Sequence, residues 1–144
     1  PYGRYVNPGI PSAQVLLNAQ EALSIATVLT GDFEKALEST RAGDFVYFDP
    51  PYAPVSATAN FVGYTQKGFD DGMQSRLARV CQALTDRGVA WMLSNSDTPY
   101  TRGLFGRLEG ATAHTVQAAR AINRDGAGRG KINELLVVGP VRVA

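Results

Sequence analysis

Apolar and polar positions alternate along the chain with two periods, one near 3.6 and one near 2. Behind Ser12, a suitable N-cap, the apolar residues Val15, Leu16, Ala19, Ala22 and Leu23 recur at helical spacing and predict a short helix. Ser24 to Thr30 is apolar and β-branched enough to predict a strand that ends at Gly31-Asp32-Phe33. A second helix is expected from Phe33 to Thr40, with Asp32 able to cap it. After the turn Ala42-Gly43-Asp44, the run Asp44 to Phe48 reads as a buried strand. Asp70 or Asp71 can start the next helix, which carries Met73, Leu77, Val80, Cys81 and Leu84 on one face, with Gln74, Arg76, Arg79 and Asp86 elsewhere. Arg87-Gly88 ends it with a C′ glycine. Val89 to Ser94 predicts a strand buried on both faces, and Pro99 opens a short helix through Arg102 to Phe105. Ala111 to Ala119 and Asn133 to Val138 predict an antiparallel pair at the sheet edge. The order strand, helix, strand, helix, strand, helix, hairpin predicts an α/β chain that forms the second half of a doubly wound sheet.

Three stretches lack either period. Pro1 to Pro11 is rich in Gly, Pro, Asn and Tyr and is expected to be irregular. Ala53 to Phe69 is a long run of small, polar and aromatic residues with Gly63 and Gly68 as flexible points, a length that in a compact domain is functional or disordered. Arg120 to Lys131 holds four basic residues, Arg120, Arg124, Arg129 and Lys131, among three glycines. This cationic loop suits either phosphate contact or a solvated turn between two strands.

Composition adds limits. The chain has 144 residues, 44% of them hydrophobic, enough for one core, and a net charge of +1 that gives no global signal for a polyanion partner. One cysteine, Cys81, excludes an internal disulfide and suits a reducing cytoplasm; on an apolar helix face it reads as core and not as a nucleophile. His114 is the single histidine and has no Cys or carboxylate cluster beside it, so no metal is expected. No apolar run approaches a membrane span and no signal peptide is visible. A start at Pro1 instead of Met leads us to expect a piece of a longer protein.

The candidate chemistry lies at the end of the central strand, in Asp49-Pro50-Pro51-Tyr52. Each proline locks its own φ near −65° and keeps the residue before it out of the α region, so Asp49 and Pro50 are both held extended. A carboxylate, a backbone carbonyl and an aromatic ring therefore stand at the carboxyl end of a strand, where open α/β sheets bind ligands. The Asp49 carboxylate and the Pro50 carbonyl can accept both hydrogens of an exocyclic amino group while Tyr52 stacks on the attached heteroaromatic ring. Adenine's amino lone pair is delocalised into its ring. Two anchored N–H bonds favour a more tetrahedral nitrogen and aim its lone pair at an electrophile, so that positioning and electrostatics carry the displacement.

Asp49-Pro50-Pro51-Tyr52 resembles the catalytic motif of adenine-N6 DNA methyltransferases, and its surroundings resemble Dam-type enzymes of bacteria and phages. The similarity continues through Ala53-Pro54-Val55-Ser56-Ala57-Thr58-Ala59-Asn60-Phe61, Leu93-Ser94-Asn95-Ser96-Asp97-Thr98 and Lys131-Ile132-Asn133-Glu134-Leu135-Leu136, and includes the opening Pro1-Tyr2-Gly3-Arg4-Tyr5. The resemblance implies a monomeric cytoplasmic enzyme that transfers a methyl group from S-adenosylmethionine to a flipped adenine in double-stranded DNA, within GATC, as a solitary, phage or restriction-modification enzyme. It implies that residues 1–11 end a target-recognition region and residues 12–144 form part of the catalytic domain, the C-terminal half of a Rossmann-like methyltransferase sheet. Asp49, Pro50, Pro51 and Tyr52 would be catalytic, and Asp32, Phe33 and Asp49 would bind the cofactor. Arg4, Tyr5, Asn60, Tyr64, Phe69, Arg120, Arg124, Arg129 and Lys131 would face DNA, the long loop closing over the extruded base. Ser94-Asn95 and Asp97-Thr98 would support the pocket through loop backbone.

One family feature is absent. These enzymes carry a Phe-x-Gly-x-Gly turn after their first strand, and here Gly126, Gly128 and Gly130 neither follow a predicted strand nor precede a helix. The first strand of the sheet is missing with it. The chain alone is therefore expected to bind cofactor poorly and to turn over undetectably. An amino-methyltransferase acting on RNA or on protein glutamine, and an inert DNA-binding remnant, remain as alternatives.

Overall fold

The computed structural model describes residues 9–55, 69–119 and 131–140, in a chain that divides into two compact units, Pro1–Glu38 and Ser39–Ala144. In the first unit, the Ser12 side chain accepts from the Val15 N–H and starts α1 (Ala13–Ser24), as its position before the apolar stripe predicts. Val15, Leu16, Leu17 and Leu23 each stay more than half exposed. The strand expected over Ser24 to Thr30 is not formed. Ser24 ends α1, Ile25 caps it, and residues 26–30 have no strand pairing among the described residues. β-Propensity is realised only against a neighbour, and Ile25, Val28 and Leu29 remain exposed without one. Asp32 accepts from the Glu34 N–H at 2.9 Å and starts α2 (Phe33–Ala36), which stops well short of Thr40. Leu37 and Glu38 bond back three residues, to the carbonyls of Glu34 and Lys35, and this tightening closes the helix.

The second unit is built on a four-stranded sheet. β1 (Phe45–Phe48) runs parallel to β2 (Ala90–Ser96), with Phe45 opposite Ala90 and Phe48 opposite Leu93. β4 (Lys131–Val138) lies antiparallel between β2 and β3 (Thr112–Ala119), so the spatial order is β1-β2-β4-β3. The terminal hairpin thus forms as its alternation predicts, and β4 begins two residues earlier than expected.

Between β1 and β2 runs α3 (Asp71–Asp86), whose N-cap Asp70 accepts from the Met73 N–H at 2.9 Å. Its C-cap Arg87 precedes Gly88 at φ 72°, the left-handed turn that a glycine allows. Leu77, Cys81 and Leu84 are buried as the 3.6-residue period requires. Burial pushes the Cys81 thiol up to about 12, so it stays protonated as a packing group. Gln74 departs from the expectation: it is fully buried on the same face. One face of β2 bonds to α3 near both helix ends. Trp91 Nε1 donates to Thr85 Oγ1 at 2.9 Å, and Asn95 Nδ2 donates to Gln74 Oε1 at 3.1 Å. Trp91 is also pressed by Gly139, where an added Cβ would lie 2.3 Å from the indole.

Beyond β2, Thr98 and Thr101 form a capping box that starts α4 (Pro99–Phe105), with Pro99 in the first turn. Asp97 is held by Arg102, whose Nε and Nη2 lie 2.5 and 2.8 Å from its two carboxylate oxygens, and by Thr115 Oγ1 at 2.8 Å. These bonds tie the end of β2 to α4 and β3. The Arg102 guanidinium, helped by Thr115, holds the Asp97 carboxyl below its usual value against a smaller opposing effect of burial. A carboxyl depressed in the folded state contributes stability that is present above the unfolded value, about 4, and is lost as the pH falls through the folded one. Asp97→Asn is therefore expected to lower the melting midpoint at neutral pH by a few degrees and to flatten its decline below about pH 4. Melting curves of both proteins across that range check this, and an acid decline as steep in the variant as in the parent would contradict it.

Candidate active site

At the end of β1 the chain leaves the sheet through Asp49-Pro50-Pro51-Tyr52, and the side chains that bond to Asp49, Pro51 and Ala53 come from β2 and α3. Ser94, on the next strand, donates from Oγ to Asp49 Oδ1 at 3.0 Å. Tyr47, two residues before the motif, donates its hydroxyl to Ser94 Oγ at 3.0 Å, and the single serine proton goes to Asp49 in preference to the Phe48 carbonyl, which lies farther off at 3.5 Å. Asp49 itself is exposed, and its Oδ2 has no hydrogen bond among the described residues. One carboxylate oxygen is thus held by the protein, and the other accepts no hydrogen bond among the described residues.

Tyr52 is 38% exposed, and its hydroxyl lies 3.5 Å from Glu134 Oε2 on β4. Burial raises the phenol above its ordinary value, the charges of Glu134 and Asp49 add to this, and Ser94 works the other way. The ring is therefore a neutral aromatic surface at physiological pH.

The backbone on both sides of Tyr52 is pinned. Gln74 Nε2 donates to the Pro51 carbonyl at 3.0 Å, and the Ala53 N–H donates to Asn95 Oδ1 at 2.9 Å. Asn95 Oδ1 also accepts from the Ser96 N–H at 2.9 Å, and its amide joins that of Gln74. Gln74 and Asn95 are both buried, and no buried side-chain polar atom lacks a partner among the described residues. In that setting each bond is costly to break, because the orphaned partner would lose its hydration without compensation.

Of the other residues singled out in the sequence, Ser94 and Asn95 touch the motif or the backbone after it. Asp97 and Thr98 do not: they serve α4 and β3, as described above. Asp32 and Phe33 lie in the first unit, both half-buried, and a carboxylate acceptor next to an aromatic ring suits a purine that carries an amino group. Asp32 does cap α2, as the alternative for it expected. Phe69 is half-buried just before the α3 N-cap, and Lys131 is exposed at the first position of β4, opposite Ala119. Arg4, Tyr5, Asn60, Tyr64, Arg120, Arg124 and Arg129 lie outside the described residues. His114 is exposed on β3, and no group of three or more His, Cys, Asp or Glu side chains among the described residues could hold a metal ion. No described helix is long and apolar enough to cross a membrane.

Gln74 is the residue that sequence reasoning missed. Its signal was present: positions 74, 77, 78, 81 and 84 form one helical stripe, and only the polarity of Gln74 argued for placing it elsewhere.

Comparison with known proteins agrees with this geometry. The family model of D12 class N6 adenine-specific DNA methyltransferases matches residues 1–122. A type II methyltransferase of Lactococcus lactis subsp. cremoris is 40% identical over 139 residues, which is 95% of this chain and 48% of that protein. A type II methyltransferase of Methanocaldococcus jannaschii is 45% identical over 140 residues, covering 96% of this chain and 47% of its own length. The DNA adenine methylase of Escherichia coli is 36% identical over 138 residues, again with 96% of this chain and 48% of that protein. The chain spans about half the length of these relatives. With its Asp-Pro-Pro-Tyr exit strand inside the matched region, the chain belongs to the D12 class of N6-adenine-specific DNA methyltransferases.

Proposed function

We propose that the intact gene product carrying this chain methylates the amino nitrogen of adenine in duplex DNA, with GATC as the target sequence. What supports this most is the pinned exit from β1, with Asp49 held by Ser94 through one oxygen only. In the reaction, Asp49 Oδ2 and the Pro50 carbonyl accept the two amino hydrogens, and Tyr52 stacks on the extruded base. The nitrogen is thereby drawn toward a tetrahedral shape with its lone pair directed away from the clamp. As the nitrogen gains positive charge its proton becomes acidic, and Asp49 Oδ2 is placed to hold it. S-Adenosylmethionine, when bound, supplies the methyl group as an electrophilic carbon on a sulfonium. Asp32 and Phe33 in the first unit would accept from and pack on its adenine, and Asp49 in the second unit is also assigned to the cofactor. Phe69, Tyr64 and Asn60 are assigned to the extruded base and its loop. Arg4, Tyr5, Arg120, Arg124, Arg129 and Lys131 are assigned to DNA, chiefly its phosphates.

The relatives are twice as long, and the Phe-x-Gly-x-Gly turn is not in this sequence. We therefore assign turnover to the intact gene product, acting as a monomer in the cytoplasm, and read this chain as the C-terminal part of a Rossmann-like methyltransferase. The test is incubation of that protein with methyl-labelled S-adenosylmethionine and a duplex containing one GATC, followed by digestion to nucleosides. Label in N6-methyladenine is expected, absent when the site is scrambled. Label only in RNA or glutamine substrates, or none at all, would overturn the proposal.

A further inference from the structure

We propose that Gln74 is a positioning residue for methyl transfer: together with Asn95 it brackets Tyr52 and sets the direction of its ring. This rests on the function proposed above and adds a determinant from α3, outside the strands that carry the motif. The two peptide groups flanking Tyr52 are each held by one buried carboxamide, Pro51 O by Gln74 Nε2 at 3.0 Å and Ala53 N–H by Asn95 Oδ1 at 2.9 Å. The carboxamides are joined at 3.1 Å, so neither can turn over without breaking the other's bonds. Gln74 Nε2 must donate to a carbonyl and its Oε1 must accept from Asn95, which fixes the amide in one orientation. Proline fixes the φ of residue 51 but leaves its ψ free, and ψ decides where the Pro51 carbonyl and the following Tyr52 point. The bond from Gln74 supplies that missing constraint. Asn95 then fixes the departure from Tyr52, so the ring that would stack on the base is aimed from both sides. The cost of this arrangement is a glutamine in the apolar stripe of α3, beside Leu77 and Ala78, where an aliphatic residue would pack without needing partners.

The test compares two variants of the intact gene product on the same helix. Gln74→Met keeps the length of the side chain and removes both of its bonds. Thr85→Val removes a buried bond of α3 to Trp91, at the end of the helix remote from the motif. Both are expected to melt at lower temperature than the parent. Assayed well below both midpoints, Gln74→Met should lose about 10–100-fold in kcat with its KM for S-adenosylmethionine little changed, the cost of a base misplaced by a fraction of an ångström to an ångström. Thr85→Val should keep the kcat of the parent. Parent-like kcat in Gln74→Met, or an equal loss in both variants, would overturn the proposal. If Gln74→Met shows no cooperative melting, Asn95→Asp decides in the same assay. It keeps Oδ1 as acceptor for Ala53 and Ser96 and removes the donor to Gln74; loss of kcat supports the bracket and retention refutes it. Failure of the parent protein to methylate adenine would remove the functional reading and this inference together, whereas unchanged kcat in the variants of an active parent removes this inference alone.

Discussion

In the intact gene product, on the function proposed above, Asp49→Ala is expected to slow methyl transfer to adenine by about 10²–10³-fold in single turnover, the loss seen when one preorganised partner of developing charge is removed. The carboxylate is not buried, so alanine leaves no cavity, and the buried Ser94 hydroxyl that loses its acceptor still accepts from Tyr47 and lies 3.5 Å from the Phe48 carbonyl. Its Oδ1 is engaged by Ser94, and its Oδ2 is the oxygen assigned above to the amino group, so the change would delete an interaction whose strength grows as the amino nitrogen becomes positive. DNA affinity should fall by only about tenfold, the worth of one hydrogen bond to a charged acceptor, because duplex binding depends mainly on phosphate contacts made elsewhere. Rapid-quench measurement of methyl incorporation with enzyme in excess over duplex gives the rate, and a filter-binding titration gives the affinity. A variant that transfers methyl groups as fast as the parent would show that the carboxylate is not part of the clamp.

Trp91→Ala is expected to cost about 3–5 kcal/mol of stability, the range for emptying a large aromatic from a core. Trp91 is 1% exposed on β2, its indole N–H is bonded to Thr85 on α3, and Gly139 closes over the ring so tightly that no side chain fits there. Gly139 also donates its N–H to the Trp91 carbonyl at 2.9 Å, so the end of β4 is moulded on this residue and does not collapse readily into the space alanine leaves. For a chain of this size the loss corresponds to a fall of roughly 6–20 °C in the melting midpoint, since each kcal/mol shifts it by about 2–4 °C. Calorimetry of parent and variant measures it. A shift of only a few degrees would mean that the contact between α3 and β2 is not where the second unit gains its stability.

The second unit was largely legible in the chain because its signals are local. Asp70, Pro99 and Gly88 mark helix ends through constraints set within a few residues, and each does so in the structure. The alternation of Thr112 to Ala119 and of the final strand suffices to place the hairpin. What was not legible depends on partners distant in sequence. Ser24 to Thr30 has strand composition, but a strand exists only through its pairing, and nothing in its own residues says whether a neighbour is present. Gln74 looked like a solvent-facing residue because its polarity was weighed without its partners, Pro51 and Asn95, which lie 23 residues before it and 21 after it. The same holds for Asp97, whose sequence neighbours suggested the motif loop and whose bonds go to Arg102 and Thr115 instead. The Asp-Pro-Pro-Tyr segment was readable for the opposite reason. Two prolines fix φ at 50 and 51 and keep Asp49 and Pro50 extended, and only the side chains that set the remaining ψ and hold the tail had to be found in three dimensions.

The clamp on the amino group is tested most directly by pairing Asp49→Ala with a duplex whose target adenine is replaced by purine, which lacks that group. Dissociation constants for the two duplexes are measured with parent and variant in the presence of S-adenosylmethionine. The parent should prefer adenine over purine by about tenfold or more, the worth of a hydrogen bond to a charged acceptor, and the variant should bind the two alike. A variant that keeps the full preference of the parent would contradict the account, because the amino group would then be recognised without Asp49.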